Sequence, residues 1–142
     1  MQIHRQALVR FTPEQMFDLV NDVEAYPRRF AWCLGAHVSE RDDQHLVARL
    51  DLRFAGVTQH FSTRNALDRA RSISMQFVDG PFDWLHGVWS FTPLGEDGCK
   101  VALDLDFEVS NKLTGLAFAI GFRKLADRMV DDFCAEAKRA YG

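Results

Sequence analysis

This sequence is poor in the features that announce chemistry. Its three cysteines, Cys33, Cys99 and Cys134, lie far apart with no C-x-x-C pair. An odd, scattered set argues against a disulfide framework and for reduced thiols in a cytosolic setting. The five histidines, at 4, 37, 45, 60 and 86, form neither H-x-H nor H-E-x-x-H, so a metal centre is not expected. No G-x-S-x-G accompanies Asp83 and His86, and no glycine-rich phosphate loop is present, so an enzyme is not expected. No apolar run approaches the roughly 18 residues of a membrane span. The opening MQIHRQALVR is too short in apolar residues and too charged to read as a signal peptide. Repeats, linkers and low-complexity tracts are missing. Charge of one sign is missing too: the net charge is −3, which gives no overall pull towards DNA, other nucleic acid or an anionic membrane. Only a local patch could supply one.

What is present is apolar and aromatic. The 142 residues are 47% hydrophobic and include twelve phenylalanines, enough for one domain, residues 1–142, with a real core. Phenylalanine brings large apolar area with no polar atom to satisfy, which suits a thick core or the lining of an apolar cavity.

Residues 2–11 read as a strand, with Ile3, Ala7, Val9 and Phe11 on one face and Arg5 as the exception. A helix follows. Thr12 is its N-cap, Pro13 suits its first position, and Gln15 completes a capping box. Asn21 and Glu24 repeat that spacing, so a second short helix is expected, ended by Pro27. The segment DVEAYPRRFAWC, 22–33, then places Tyr26, Phe30 and Trp32 in what reads as a loop. No element is assigned to 34–44.

Alternation dominates from 45 onward. In HLVARLDLRF, Leu46, Ala48, Leu50, Leu52 and Phe54 face one way and Arg49, Asp51 and Arg53 the other. Gly56 turns the chain into 57–68, with Val57, Phe61 and Leu67 on the apolar side. Ile73, Met75 and Phe77 alternate next, then Leu85, Trp89 and Phe91 after the DGP turn, then Val101, Leu103, Leu105 and Phe107 after EDG. The last strand is expected to turn Asp104 and Asp106 to water. Residues 111–141 read as a helix, with Leu125, Met129 and Phe133 four apart. Gly115 and Gly121 predict a kink or a late start.

The order is therefore one strand, two short helices, five or six strands and a long helix. One helix of about 10 Å diameter cannot cover a sheet of six or seven strands unless the sheet curves around it. Side chains fill what remains, or a cavity is left. Phe61, Met75, Leu85, Trp89, Phe91, Leu103 and Leu105 on the inward face, with Met129 on the helix, fit either outcome. Thr63 and Asn65 share that parity; a buried Asn needs partners, and would bond its neighbours or hold a ligand carbonyl. Arg49, Arg53 and Arg64 face outward, as a solvated surface or an RNA-binding patch.

FSTRNALDRARSISMQFVDGPFDWLHGVWSFTPL, residues 61–94, resembles the bacterial members of the coenzyme Q-binding START-domain family, also known as ribosome association toxin-like and polyketide cyclase/dehydrase-like proteins. F-x-T-R-N at 61–65, DGPF-x-x-L-x-G-x-W-x-F at 79–91, LVNDVEAYP at 19–27, WC at 32–33 and MVDDF at 129–133 carry the likeness over nearly the whole chain. The family pattern tends to have proline before the Trp-Cys pair; here Ala31 stands there.

The resemblance implies an α+β helix-grip fold of START type: a curved antiparallel sheet around a C-terminal helix and an apolar tunnel. It implies a polyprenyl quinone such as ubiquinone as bound ligand, with no covalent cofactor and no metal, in support of respiratory electron transport. Asn65 or Arg5 would donate to the quinone carbonyls. Tyr26, Phe30 and Trp32 would either form a lid at the tunnel mouth, partly exposed while the tunnel is empty, or cap the open end of the core. The expected place is the cytoplasm, with a peripheral contact at the inner face of the membrane. The alternative it implies is binding to the large ribosomal subunit, and a third is cyclase or dehydrase chemistry, for which no acid–base constellation stands in the sequence.

Overall fold

The chain begins on one edge of a sheet and crosses to the other before returning strand by strand. A computed structural model describes residues 1–54, 56–110 and 115–142. β1 (Gln2–Val9) leads into α1 (Pro13–Asn21), a 3-10 turn (Val23–Ala25) and α2 (Tyr26–Arg29). A meander follows: β2 (Cys33–Arg41), β3 (His45–Phe54), β4 (Val57–Asp68), β5 (Ser72–Asp79), β6 (Phe82–Leu94) and β7 (Gly98–Val109). α3 (Gly115–Tyr141) completes the chain. The seven strands form one antiparallel sheet in the order β1-β7-β6-β5-β4-β3-β2. The sheet curves around α3, which packs on β1, β7 and the end of β3, while α1 covers β6 and β7.

α1 starts where its capping box requires. The Thr12 hydroxyl accepts from the Gln15 N–H at 3.1 Å, and the Gln15 side chain accepts from the Thr12 N–H at 2.9 Å. The second expected box does not form. Asp22 precedes the 3-10 turn without a side-chain cap, and Asn21 Oδ1 is buried with no partner among the described residues. Pro27 does not end a helix either. It lies in the first turn of α2, where no N–H is needed and its fixed φ suits the helix.

β2 escaped the sequence reading for a physical reason. It is an edge strand with register shifts between Cys33 and Gly35 and between Val38 and Glu40, and each bulge breaks the alternation. The inward residues expected on the other strands keep their parity, although β6 carries a register shift between Phe82 and Trp84 that leaves both Phe82 and Leu85 buried. Val101, Leu103, Leu105 and Phe107 are buried, Asp104 is exposed and Asp106 partly so.

α3 runs past Gly121 without interruption as one helix. The glycine serves packing: a Cβ there would lie 2.3 Å from the Phe54 ring, which sits against the helix and meets Phe118 at 5.4 Å. The helical reading of 111–114 lies outside the described residues.

Candidate functional site

Between the concave face and α3 a cavity of about 70 Å³ remains. Its floor is the inward parity of five strands: Leu50 and Leu52 of β3, Phe61, Thr63 and Asn65 of β4, Met75 of β5, Leu85 and Trp89 of β6, Leu103 and Leu105 of β7. Phe122 and Met129 of α3 form the roof, and Val23, Tyr26 and Trp32 close one end. Gly87 is the low point of the floor. Paired with Met75 and Leu105, it leaves a Cβ position within 2.9 Å of the Met75 methyl and 2.8 Å of a Leu105 methyl.

The lining is apolar but for one pair. The Thr63 hydroxyl donates to Asn65 Oδ1 at 2.9 Å, and both residues are 7% exposed. Among the described residues the Asn65 amide nitrogen has no acceptor, so its N–H groups are free for a neutral acceptor in the cavity. Among the described residues no Asp, Glu, His, Lys or Arg lines the space. Tyr26 does, but its hydroxyl donates to the Val20 carbonyl, and burial pushes its pKa far above the ordinary tyrosine value.

All the expected lining residues meet in this wall except Phe91. Phe91 has the right parity but stands further along β6, edge-on to Phe17 of α1 at 5.8 Å. Val23, Ala48, Leu50, Leu52 and Phe122 were not expected there. The first has no sequence signal. Ala48, Leu50 and Leu52 were visible as inward residues of β3, and Phe122 stands three residues before Leu125 on the buried stripe.

The aromatic segment does not hang over a mouth. Tyr26, Phe30 and Trp32 are 7%, 6% and 7% exposed, so the partial exposure required of a lid is not found. Phe30 stacks on Trp32 with ring centroids 4.9 Å apart, and Phe133 meets Phe30 edge-on at 4.7 Å. Trp32 Nε1 donates to Asp132 at 3.2 Å. Tyr26 and Trp32 are cavity wall, while Phe30 backs them from outside. Below them Arg29 donates to Glu136 at 2.9 Å, and Arg139 meets the same carboxylate.

Two further expectations change. Arg5 does not reach the cavity; it lies exposed beside α3, with Nε donating to Asp127 at 2.8 Å. The three outward arginines are not a free basic face. Arg49 bonds Asp51 at 3.0 Å and Arg64 bonds Glu40 at 3.3 Å. Arg53 instead faces Lys124 and Arg128 across a separate cleft of about 370 Å³ beside Trp32. All three cysteines are free; burial pushes the Cys33 and Cys99 thiols up to about 11. Among the described residues no group of three His, Cys, Asp or Glu could hold a metal, and no helix is long and apolar enough to cross a membrane.

Comparison with known proteins points one way on family and several ways on role. The family model described as polyketide cyclase / dehydrase and lipid transport matches residues 9–134. The chain is 48% identical over 141 residues to the ribosome association toxin RatA of Vibrio cholerae, covering 99% of this chain and 98% of that protein. It is 28% identical over 136 residues to the mitochondrial coenzyme Q-binding protein COQ10 homolog B of Xenopus laevis, covering 93% of this chain and 56% of that one. A START superfamily protein from Mycobacterium smegmatis superposes with a TM-score of 0.81 at 21% identity, covering 98% of each chain.

Proposed function

The chain belongs to the polyketide cyclase/dehydrase and lipid transport family, and from that premise we propose that it binds a neutral hydrophobic molecule, without catalysis, between its sheet and α3. The observation that carries this is the apolar wall interrupted only by Thr63 and Asn65. Burial of isoprenoid or acyl surface against Phe, Leu and Met contributes about 25 cal/mol per Å². The Asn65 amide supplies one donor for a carbonyl or ether oxygen. With no cation or general base in the wall, a carboxylate ligand and acid–base chemistry both lack partners there. A polyprenyl quinone such as ubiquinone fits this description, and the likeness to a coenzyme Q-binding protein supports it.

Size adds a condition. A cavity of about 70 Å³ is smaller than the roughly 150 Å³ engineered cavity that takes benzene, and far below the roughly 300–1,000 Å³ of ordinary ligand sites. A ligand of that size therefore requires the space between sheet and helix to widen. Met75 and Met129, unbranched and partly buried, are the side chains best able to give way. Trp32 and Trp89 in the wall report the event. Titration with a short-tailed ubiquinone should change tryptophan fluorescence saturably, and mass spectrometry should find quinone co-purifying with the native protein. Neither signal appearing would sink the reading.

A second reading rests on the likeness, over 99% of the chain, to a protein named for ribosome association. It places the chain on the large ribosomal subunit, where it would block subunit joining, and it does not require an occupied cavity. Co-sedimentation with purified large subunits, with and without quinone, separates the two. Binding that ignores quinone assigns the role to the surface.

A further inference from the structure

The solvent side of α3 changes character along its length. From 116 to 122 its exposed residues are Leu116 at 75%, Ala117, and Ile120 at 48%, with no charge among them. The exposed positions that follow are Arg123, Lys124, Asp127 and Arg128. A helix packed on a sheet keeps its outer side polar, so this apolar end is anomalous. Around it stand cations. Arg53, held near by its backbone N–H to the Trp32 carbonyl at 2.9 Å, joins Lys124 and Arg128 on the walls of the cleft of about 370 Å³, and among the described residues no carboxylate lines that cleft. Arg128 pairs with Asp132 at 3.4 Å; Arg53, Arg123 and Lys124 have no ion-pair partner among the described residues.

We propose that this end of α3 is a docking surface for a bilayer carrying anionic phospholipid. Leu116 and Ile120 enter the acyl boundary, and Arg53, Arg123 and Lys124 meet the headgroup phosphates. The chemistry selects this partner over others. A nucleic-acid backbone would use the cations but offers nothing to two exposed aliphatic chains. A second copy related by a twofold axis would bring Arg53, Arg123 and Lys124 from both chains into one interface, cationic patch facing cationic patch. The cleft also shares Trp32 with the internal cavity, so the docked side is one where a single aromatic residue borders both. The docking itself needs no ligand and is tested without one.

The test is co-sedimentation of the full chain with phosphatidylcholine vesicles made with and without phosphatidylglycerol. Wild type should pellet only with the anionic vesicles and be released by salt. Each cation removed should weaken binding about fivefold, so Arg53→Gln with Lys124→Gln should cost roughly twenty-five-fold. Leu116→Ser with Ile120→Ser should cost on the order of tenfold or more. All four positions are exposed, and a thermal melt confirms that each variant is folded; salt dependence of the wild type stands as a readout that needs no variant. Wild type left in the supernatant, equal pelleting with neutral vesicles, or full binding by the Leu116/Ile120 variant each overturns the proposal. Retention on RNA that is lost in the Arg53/Lys124 variant but kept in the Leu116/Ile120 variant would assign the cleft to a nucleic-acid backbone instead.

Discussion

The two halves of the concave face obey the same alternation and end differently. Towards β1, β7 and β6, where α1 and α3 press onto the sheet, Val101 and Phe107 are sealed. Towards β3, β4 and β5, Leu50, Phe61, Met75 and Phe77 point inward yet stay partly exposed, with Thr63 and Asn65 among them. Alternation tells which face is covered. It does not tell whether the space above that face is full, because this depends on what crosses there. The helices seal Val101 and Phe107, and the gap that remains runs from β3 as far as Leu103 and Leu105 of β7.

The sharpest test of this contrast is truncation. Phe107→Ala should cost about 3–5 kcal/mol, and Phe30→Ala, now seen as buried and stacked, should fall in the same range. Met75→Ala, beside existing space, should cost less than about 2 kcal/mol. Urea denaturation with an unchanged slope measures all three. Equal losses at Met75 and Phe107 would show that the halves are packed alike and that the cavity closes in solution.

A smaller effect is expected at the aromatic end, where polar groups hold α2 against α3. Hydrogen bonds from Arg139 and Arg29 keep the Glu136 carboxyl below its usual pKa range. Its contribution is therefore complete above the unfolded carboxylate value, about 4.3, and is lost as pH falls through the lower folded value. Glu136→Gln removes the close partner of Arg29, whose side chain is only 14% exposed and whose other acid, Asp22, is 3.7 Å away. The loss at neutral pH should be about 2 kcal/mol, below the range for fully buried pairs. The gap between variant and wild type should shrink below about pH 4, and unfolding curves across that range would show it. A gap that widened in acid would contradict the assignment.

The smallest stability change and the most specific functional one belong to Gly87→Ala. The new methyl meets only the tips of Leu105 and Met75 within 3 Å, so they swing into the cavity. Stability should stay within about 1 kcal/mol, while affinity for an apolar ligand should drop on the order of tenfold, as expected for lost burial of a few methylenes. A competition titration decides it. Unchanged affinity would place the ligand elsewhere.

The sequence carried much of this frame. The bounds of β3 and β4 follow from alternation closed by Gly56, and the start of α1 from Thr12, Pro13 and Gln15. β2 was hidden by its bulges, and Pro27 was misread because proline both ends helices and begins them. The inward parity brought out most of the cavity wall, yet Phe91 shows its limit: parity gives the side of the sheet, not the position along the strand at which α1 takes over from open space. The burial of Phe30 and Trp32 depended on Phe133, a hundred residues away, and no local pattern reports such a distance.

The strand order has a consequence for how the molecule forms. β2 to β7 can assemble as successive hairpins, each strand pairing with the one just made. β1 cannot join them early. His4 lies opposite Asp104, a separation of 100 residues, so the first strand must wait until the last one exists. Closing that loop is entropically costly and sets a slow, late step. Until it happens β7 is a bare edge, able to pair with β1 of another chain as readily as with its own. During synthesis or refolding at high concentration, exchange of N-terminal strands between molecules is the characteristic misassembly this topology invites.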